Sequence, residues 1–150
     1  MNIGSFFCSL GKTFGGCTCD EVVEIQPCGM IDINTASSIL LDKMEEMGAG
    51  NAEIYLPDAN FKVYNKEDVK AFLKLDEIDK IPYVTETFDC DDFAAELFGM
   101  FAGLVWTNAH SLCWFIDENE TLWFLEPQSD DIAPDLEDWQ GWRIRFFIGR

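Results

Sequence analysis

The sequence predicts a single α+β domain. Helical spacing of apolar residues dominates the chain up to about residue 101, and strand-like runs dominate from residue 110 onward. A length of 150 residues suits one domain, and a 48% hydrophobic, 14% aromatic composition supplies a core and excludes wholesale disorder.

Residues 1–30 are rich in Gly, Cys and Phe and form an atypical N-terminal segment in which only VVEI (22–25) reads as a strand. Asn34 or Thr35 is placed to cap ASSILLDKMEEMG, where Ile39, Leu40, Met44 and Met47 recur at helical spacing and Gly48 is a stop. AEIYL (52–56) reads as a short strand and PDAN (57–60) as a turn. Asn65 precedes KEDVKAFLKL, a helix with Val69, Phe72 and Leu73 on one face. The acidic run DEIDK then leads to IPYVTETF (81–88), whose β-branched and aromatic residues predict a strand.

A helix is expected from Cys90 or Asp91 to about Phe101, with Phe93, Leu97 and Phe101 on one stripe and Asp91 and Asp92 at the positive end of its dipole. HSLCWFI, DENE and TLWFLEP read as a hairpin of buried strands, and SDDIAPDLED (129–138) as an acidic loop. WRIRFFIGR closes the chain as a strand alternating Trp142, Ile144, Phe146 and Ile148 against Arg143 and Arg145. No internal repeat or low-complexity tract interrupts residues 1–150.

Ten basic and 28 acidic residues leave a formal charge of −18. That charge repels nucleic acid and anionic membrane, and it permits metal cations or basic proteins. No run of about 18 apolar residues predicts a membrane span. Met1–Cys8 has no basic start of a secretory leader. The six cysteines accompany a core that needs no staples, so a reduced, cytoplasmic protein is expected. Cys8, Cys17, Cys19 and Cys28 lack the paired spacing of zinc knuckles and read as free thiols. Cys113, in a buried strand, reads as inert, and the tryptophans as core or rim.

Cys90, His110 and Glu126 are the candidate chemistry. A cysteine opening a helix, a histidine opening a strand and an acid closing the next strand follow the order of a papain-type site. A helix N-terminus favours the thiolate, an imidazole takes and returns its proton, and a carboxylate orients the ring. Strand register tests this. With a three-residue turn, Asp117 faces Thr121, His110 faces Gln128, and Glu126 lies one diagonal step away on the same face. A two- or four-residue turn puts Glu126 on the opposite face. DENE allows either.

The strings FDCDDFA, NAH and LEPQS resemble the papain-like cysteine protease domains of fungal chimerolectins of the Marasmius oreades agglutinin type. The resemblance spans Ile81 to Ser129. It implies a papain-like fold with a nucleophile-bearing helix packed on an antiparallel sheet, and hydrolysis of a peptide or protein substrate. It implies Cys90 as nucleophile, His110 as base, Glu126 as orienting acid, and a calcium requirement. The local residues give their own reason for a cation. Asp89, Asp91 and Asp92 surround Cys90 and disfavour its thiolate, and calcium held by Asp91 and Asp92 would offset that field. Two other readings compete: an acidic interaction protein that binds a basic partner or mimics nucleic acid, and a transglutaminase-like acyl transfer. No glutamine lies between Asn51 and Cys90 to supply an oxyanion donor.

Overall fold

The computed structural model describes residues 24–136 and 143–150. The expected roles of Cys8, Cys17, Cys19, Trp139 and Trp142, and half of the VVEI run, lie outside them. Glu24 and Ile25 are not in a strand; among the described residues the first strand is β1 (Gly29–Asp32).

Helix α1 (Ile33–Glu46) begins earlier than the sequence suggests. Its cap is Asp32, whose side chain accepts from the Thr35 N–H at 2.9 Å, so neither Asn34 nor Thr35 is the cap. Gly48 ends it as expected: with φ 67° it adopts the left-handed turn that glycine tolerates, and its N–H donates to the Glu45 carbonyl. β2 (Glu53–Tyr55) follows, and then β3 (Asn60–Val63), which pairs antiparallel with β1. Asn65 caps α2 (Lys66–Asp76) by accepting from the N–H groups of Glu67 and Asp68.

A one-turn 3-10 helix (Ile78–Lys80) leads into residues 81–88, which are not a strand. Val84 and Phe88 form a single bridge around Thr85–Thr87, and Glu86 sits at φ 61°. The run has strand propensity but turns back on itself before it meets a neighbouring strand. α3 (Cys90–Met100) starts where the sequence places it.

The main sheet has six strands in the order β2-β8-β4-β5-β6-β7, with β4 (Gly103–Thr107), β5 (Ser111–Ile116), β6 (Leu122–Glu126), β7 (Asp131–Ala133) and β8 (Ile144–Ile148). It is mixed: β2 runs parallel to β8, and the other pairs are antiparallel. Part of the expected acidic loop is therefore strand β7, recruited by pairing with β6. In the β5–β6 hairpin Cys113 faces Leu125, and the Asp117 N–H donates to the Thr121 carbonyl at 2.9 Å. This is the three-residue-turn register.

Both faces of the sheet are covered. Leu112, Trp114 and Ile116 of β5 join Leu40 and Met44 of α1 and Phe61 of β3 in one core. Cys113 and Phe115 point the other way, into a second core with Val69, Phe72 and Leu73 of α2 and Phe93 and Leu97 of α3. Hence β5 is buried along its whole length and reads as an unbroken apolar run. The architecture is α+β, as predicted. No helix among the described residues is long and apolar enough to cross a membrane.

Candidate functional site

The four-residue turn Thr107–His110 joins β4 to β5 and is organised by one buried hydroxyl. Thr107 Oγ1 donates to the His110 carbonyl at 2.8 Å and accepts from the N–H groups of His110 at 2.8 Å and Ala109 at 3.2 Å. This fixes His110 at the entrance to β5. The hairpin register then brings Glu126 to it: His110 Nε2 lies 2.6 Å from Glu126 Oε2. A carboxylate only accepts, so Nε2 carries the proton in this contact. Glu126 Oε1 also accepts from the Gln128 N–H at 3.2 Å, which orients the carboxylate.

Cys90 is the first residue of α3 and is half-buried. Asp92 accepts from the Asp89 N–H at 3.0 Å, and Asp89 accepts from the Glu86 N–H at 3.0 Å, so Asp89 and Asp92 build the helix start. Asp91 shares a hydrogen bond with Asp89, which holds the Asp91 carboxyl above its ordinary range and Asp89 below it. α3 packs on β5 through Cys113, whose Sγ donates to the Ala94 carbonyl at 3.3 Å. Burial foremost, and then the Glu126 charge, pushes the Cys113 thiol far up, so it stays protonated.

The structure thus joins His110 with Glu126, and separately groups Asp89, Cys90 and Asp91, whose ligand atoms lie within 4.8 Å of one another. The expected calcium pair, Asp91 with Asp92, is not the one it groups. Asp92 is engaged with the Asp89 N–H at the helix start. Two carboxylates and a thiol by themselves supply fewer oxygens than the roughly six to eight that calcium takes.

A further feature escaped the sequence analysis. The Met47–Glu53 segment, Asn108 and the start of β8 enclose an open cleft of about 910 Å³. Asn51, Glu53, Asn108, Arg143, Arg145 and Phe146 give it a polar lining with one aromatic wall. Phe146 is held in place by Trp106, with ring centroids 5.8 Å apart, and by the edge of Tyr55 at 6.3 Å. Arg143 is locked reciprocally to the turn: its N–H donates to Asn108 Oδ1 at 2.6 Å, and the Asn108 N–H donates to its carbonyl at 2.9 Å. The one legible signal was the Arg143-x-Arg145 pair in an acid-rich chain. Its distance in sequence from residues 47–53 hid the rest.

No family model matches the chain, and no curated protein matches it. Solved structures do. One, described as a PSL1a–E64 complex, has a TM-score of 0.67 and 20% identity over 79% of this chain and 51% of its own. This chain shares its fold with about half of that structure. A second is Polyporus squamosus lectin bound to the human-type influenza-binding epitope Neu5Aca2-6Galb1-4GlcNAc, with TM-score 0.64, 20% identity, and coverage of 79% of this chain and 49% of the other. The chain therefore spans about half the length of the solved structures it matches.

These findings correct the functional expectations. The assignment to chimerolectin protease domains, the papain-like cysteine hydrolase and its peptide or protein substrate give way, because the solved structures sharing this fold carry the name of a lectin. The acidic interaction protein and the transglutaminase-like transfer match them no better.

Proposed function

We propose that the chain is a carbohydrate-binding domain whose site is the cleft between β2, the Thr107–His110 turn and β8. The observation that carries this reading is the lining: amide, carboxylate and guanidinium groups around one edge-supported aromatic ring, Phe146. Sugars present hydroxyls that donate and accept at once, and planar polar side chains satisfy them in pairs. Their C–H faces pack on aromatic rings, and an open cleft with a few placed polar groups admits a chain of residues. A structural neighbour described as bound to a sialylated trisaccharide supports the choice of ligand class.

The test is an NMR titration of the labelled protein with Galβ1-4GlcNAc and with its α2-6-sialylated form. Saturable shifts confined to residues 47–53, 106–110 and 143–147, lost in Phe146→Ala, are expected. If neither sugar moves those resonances, the reading falls.

A second reading concerns Cys90, His110 and Glu126, and the short His110–Glu126 contact favours it. We propose that the three form a thiol-reactive centre, with Cys90 at the helix start and the imidazole–carboxylate pair on the sheet on which α3 packs. One neighbour is described as an E64 complex. Iodoacetamide should alkylate Cys90 faster than the exposed Cys28, and His110→Ala should abolish the difference. Equal rates at the two thiols in the unmodified chain would dismiss it.

A further inference from the structure

Asn108 and His110 belong to one turn and serve two different places. Asn108 is exposed and lines the cleft, whereas His110 holds the Glu126 carboxylate. The same short set of hydrogen bonds fixes both. The Thr107 N–H and hydroxyl donate to the His110 carbonyl at 2.9 and 2.8 Å, and the hydroxyl accepts from the Ala109 and His110 N–H groups. Asn108 in turn exchanges two hydrogen bonds with Arg143, the residue before β8. A displacement of Asn108 is therefore passed to the backbone of His110.

The turn is also set apart from the sheet. Trp106 pairs with Phe146 and Thr107 with Ile144, so Arg145 is an extra residue on β8 and the ladder is interrupted between the two pairs. Such a bulge leaves one residue unpaired and bends the strand. It divides the cleft. Phe146 and its support Trp106 lie on the sheet side, and Asn108 and Arg143 lie on the turn side. Asn108 Oδ1 holds the Arg143 N–H, which leaves the Nδ2 hydrogens to donate to a ligand oxygen. A ligand that packs on Phe146 and accepts from Asn108 spans the bulge and favours one arrangement of it. Differential binding of that kind is what shifts a population.

We propose that occupancy of the cleft regulates the His110–Glu126 pair: a sugar bridging Phe146 and Asn108 fixes the Thr107–His110 turn and holds His110 on Glu126. This rests on the carbohydrate-binding reading above and adds a control to it. The signal ends at Gln128, which does not line the cleft and whose N–H donates to the other oxygen of Glu126.

The experiment is amide hydrogen exchange on the full chain, with and without saturating Galβ1-4GlcNAc, while chemical shifts of residues 47–53 report the binding itself. The Gln128 N–H should exchange about fivefold more slowly in the complex, the low end of couplings between sites. Thr107→Val and Asn108→Ala, with thermal melts to show that they fold, should each abolish that slowing even at saturation. Coupling is reciprocal, so Glu126→Ala, outside the cleft, should weaken the sugar by a similar factor. Sugar binding that leaves Gln128 exchange unchanged or faster overturns the inference and leaves the carbohydrate-binding reading standing. Slowing that persists in both turn variants overturns it as well, because the coupling then bypasses the turn. If the sugar moves none of residues 47–53, the reading and the inference fall together.

Discussion

His110 and Glu126 meet at 2.6 Å across the β5–β6 hairpin, each side chain 12% exposed, so the pair is largely shielded from water. The contact depends on a register set several residues away along each strand, at the Asp117–Thr121 turn. Asp117 is itself nearly buried and accepts from the N–H groups of Asn119 and Thr121 and from the Trp123 indole. Removing the Glu126 carboxylate leaves the imidazole without this partner and the Gln128 N–H without its acceptor. Glu126→Ala should cost about 1–3 kcal/mol. Gln128→Ala should cost about 0.5 kcal/mol or less. Urea denaturation of the two variants checks the difference, and equal losses would mean that the contact contributes nothing of its own.

Thr107 is 1% exposed, and its hydroxyl makes three hydrogen bonds within its turn. Thr107→Val keeps the shape and strands the Ala109 and His110 N–H groups, while the His110 carbonyl keeps the Thr107 N–H, at a cost of about 1–3 kcal/mol. Thr107→Ser keeps the hydroxyl and should lose less. Because the same turn carries Asn108, the valine variant should also weaken sugar binding in proportion to its loosening of that turn, as read by amide exchange at residues 108–110.

Gly103 is small for a steric reason. A Cβ there would run into the Trp114 ring, which lies over it with its indole N–H donating to the Leu104 carbonyl at 3.0 Å. Gly103→Ala should destabilise by about 1–3 kcal/mol through overpacking. The combination with Trp114→Phe should recover part of that loss if the clash is the cause. Thermal melts of the single and double variants give the answer.

Asp130 supplies a pH dependence of definite sign. Burial, then the charges of Asp76, Asp79 and Asp131, raise its carboxyl to about 6, and Asp130 Oδ1 is buried without a partner. A raised carboxyl pKa means that the folded state holds the proton more tightly than the unfolded chain, where it titrates at about 3.9. Ionising it therefore costs stability. The cost is absent below about pH 4, grows as pH rises through the interval, and is complete above about 6. Asp130→Asn should be more stabilising, relative to the unmodified chain, at pH 7.5 than at pH 4.5. Asparagine also tolerates the left-handed backbone at this position, where φ is 61°. Urea midpoints at the two pH values should separate, and a constant difference would rule the effect out.

Local chemistry alone located most of the regular elements. Asn65 and Gly48 mark helix ends by the hydrogen bonds and backbone angles they offer. Val69, Phe72 and Leu73 mark a buried face by spacing alone, and Cys90 opens its helix where Asp91 and Asp92 favour the dipole. The short strands were not legible. β1 and β4 lie in runs without marked alternation, β3 alternates Phe61 and Val63 against Asn60 and Lys62 over only four residues, and β7 lies in an acidic stretch; each exists because a partner strand supplies its hydrogen bonds. Residues 81–88 fail in the opposite sense, with strand propensity and no strand to pair with. The order of Cys90, His110 and Glu126 could be read from the chain, but DENE was compatible with registers that put Glu126 on either face, and the Asp117 hydrogen bonds chose one. The cleft is a tertiary product altogether. Residues 47–53, Asn108 and 143–146 are far apart in sequence, and the pairing of β2 and β4 on either side of β8 brings them to one place. Side-chain periodicity is a property of neighbours along the chain, whereas a site made by strand order depends on contacts that no local pattern encodes.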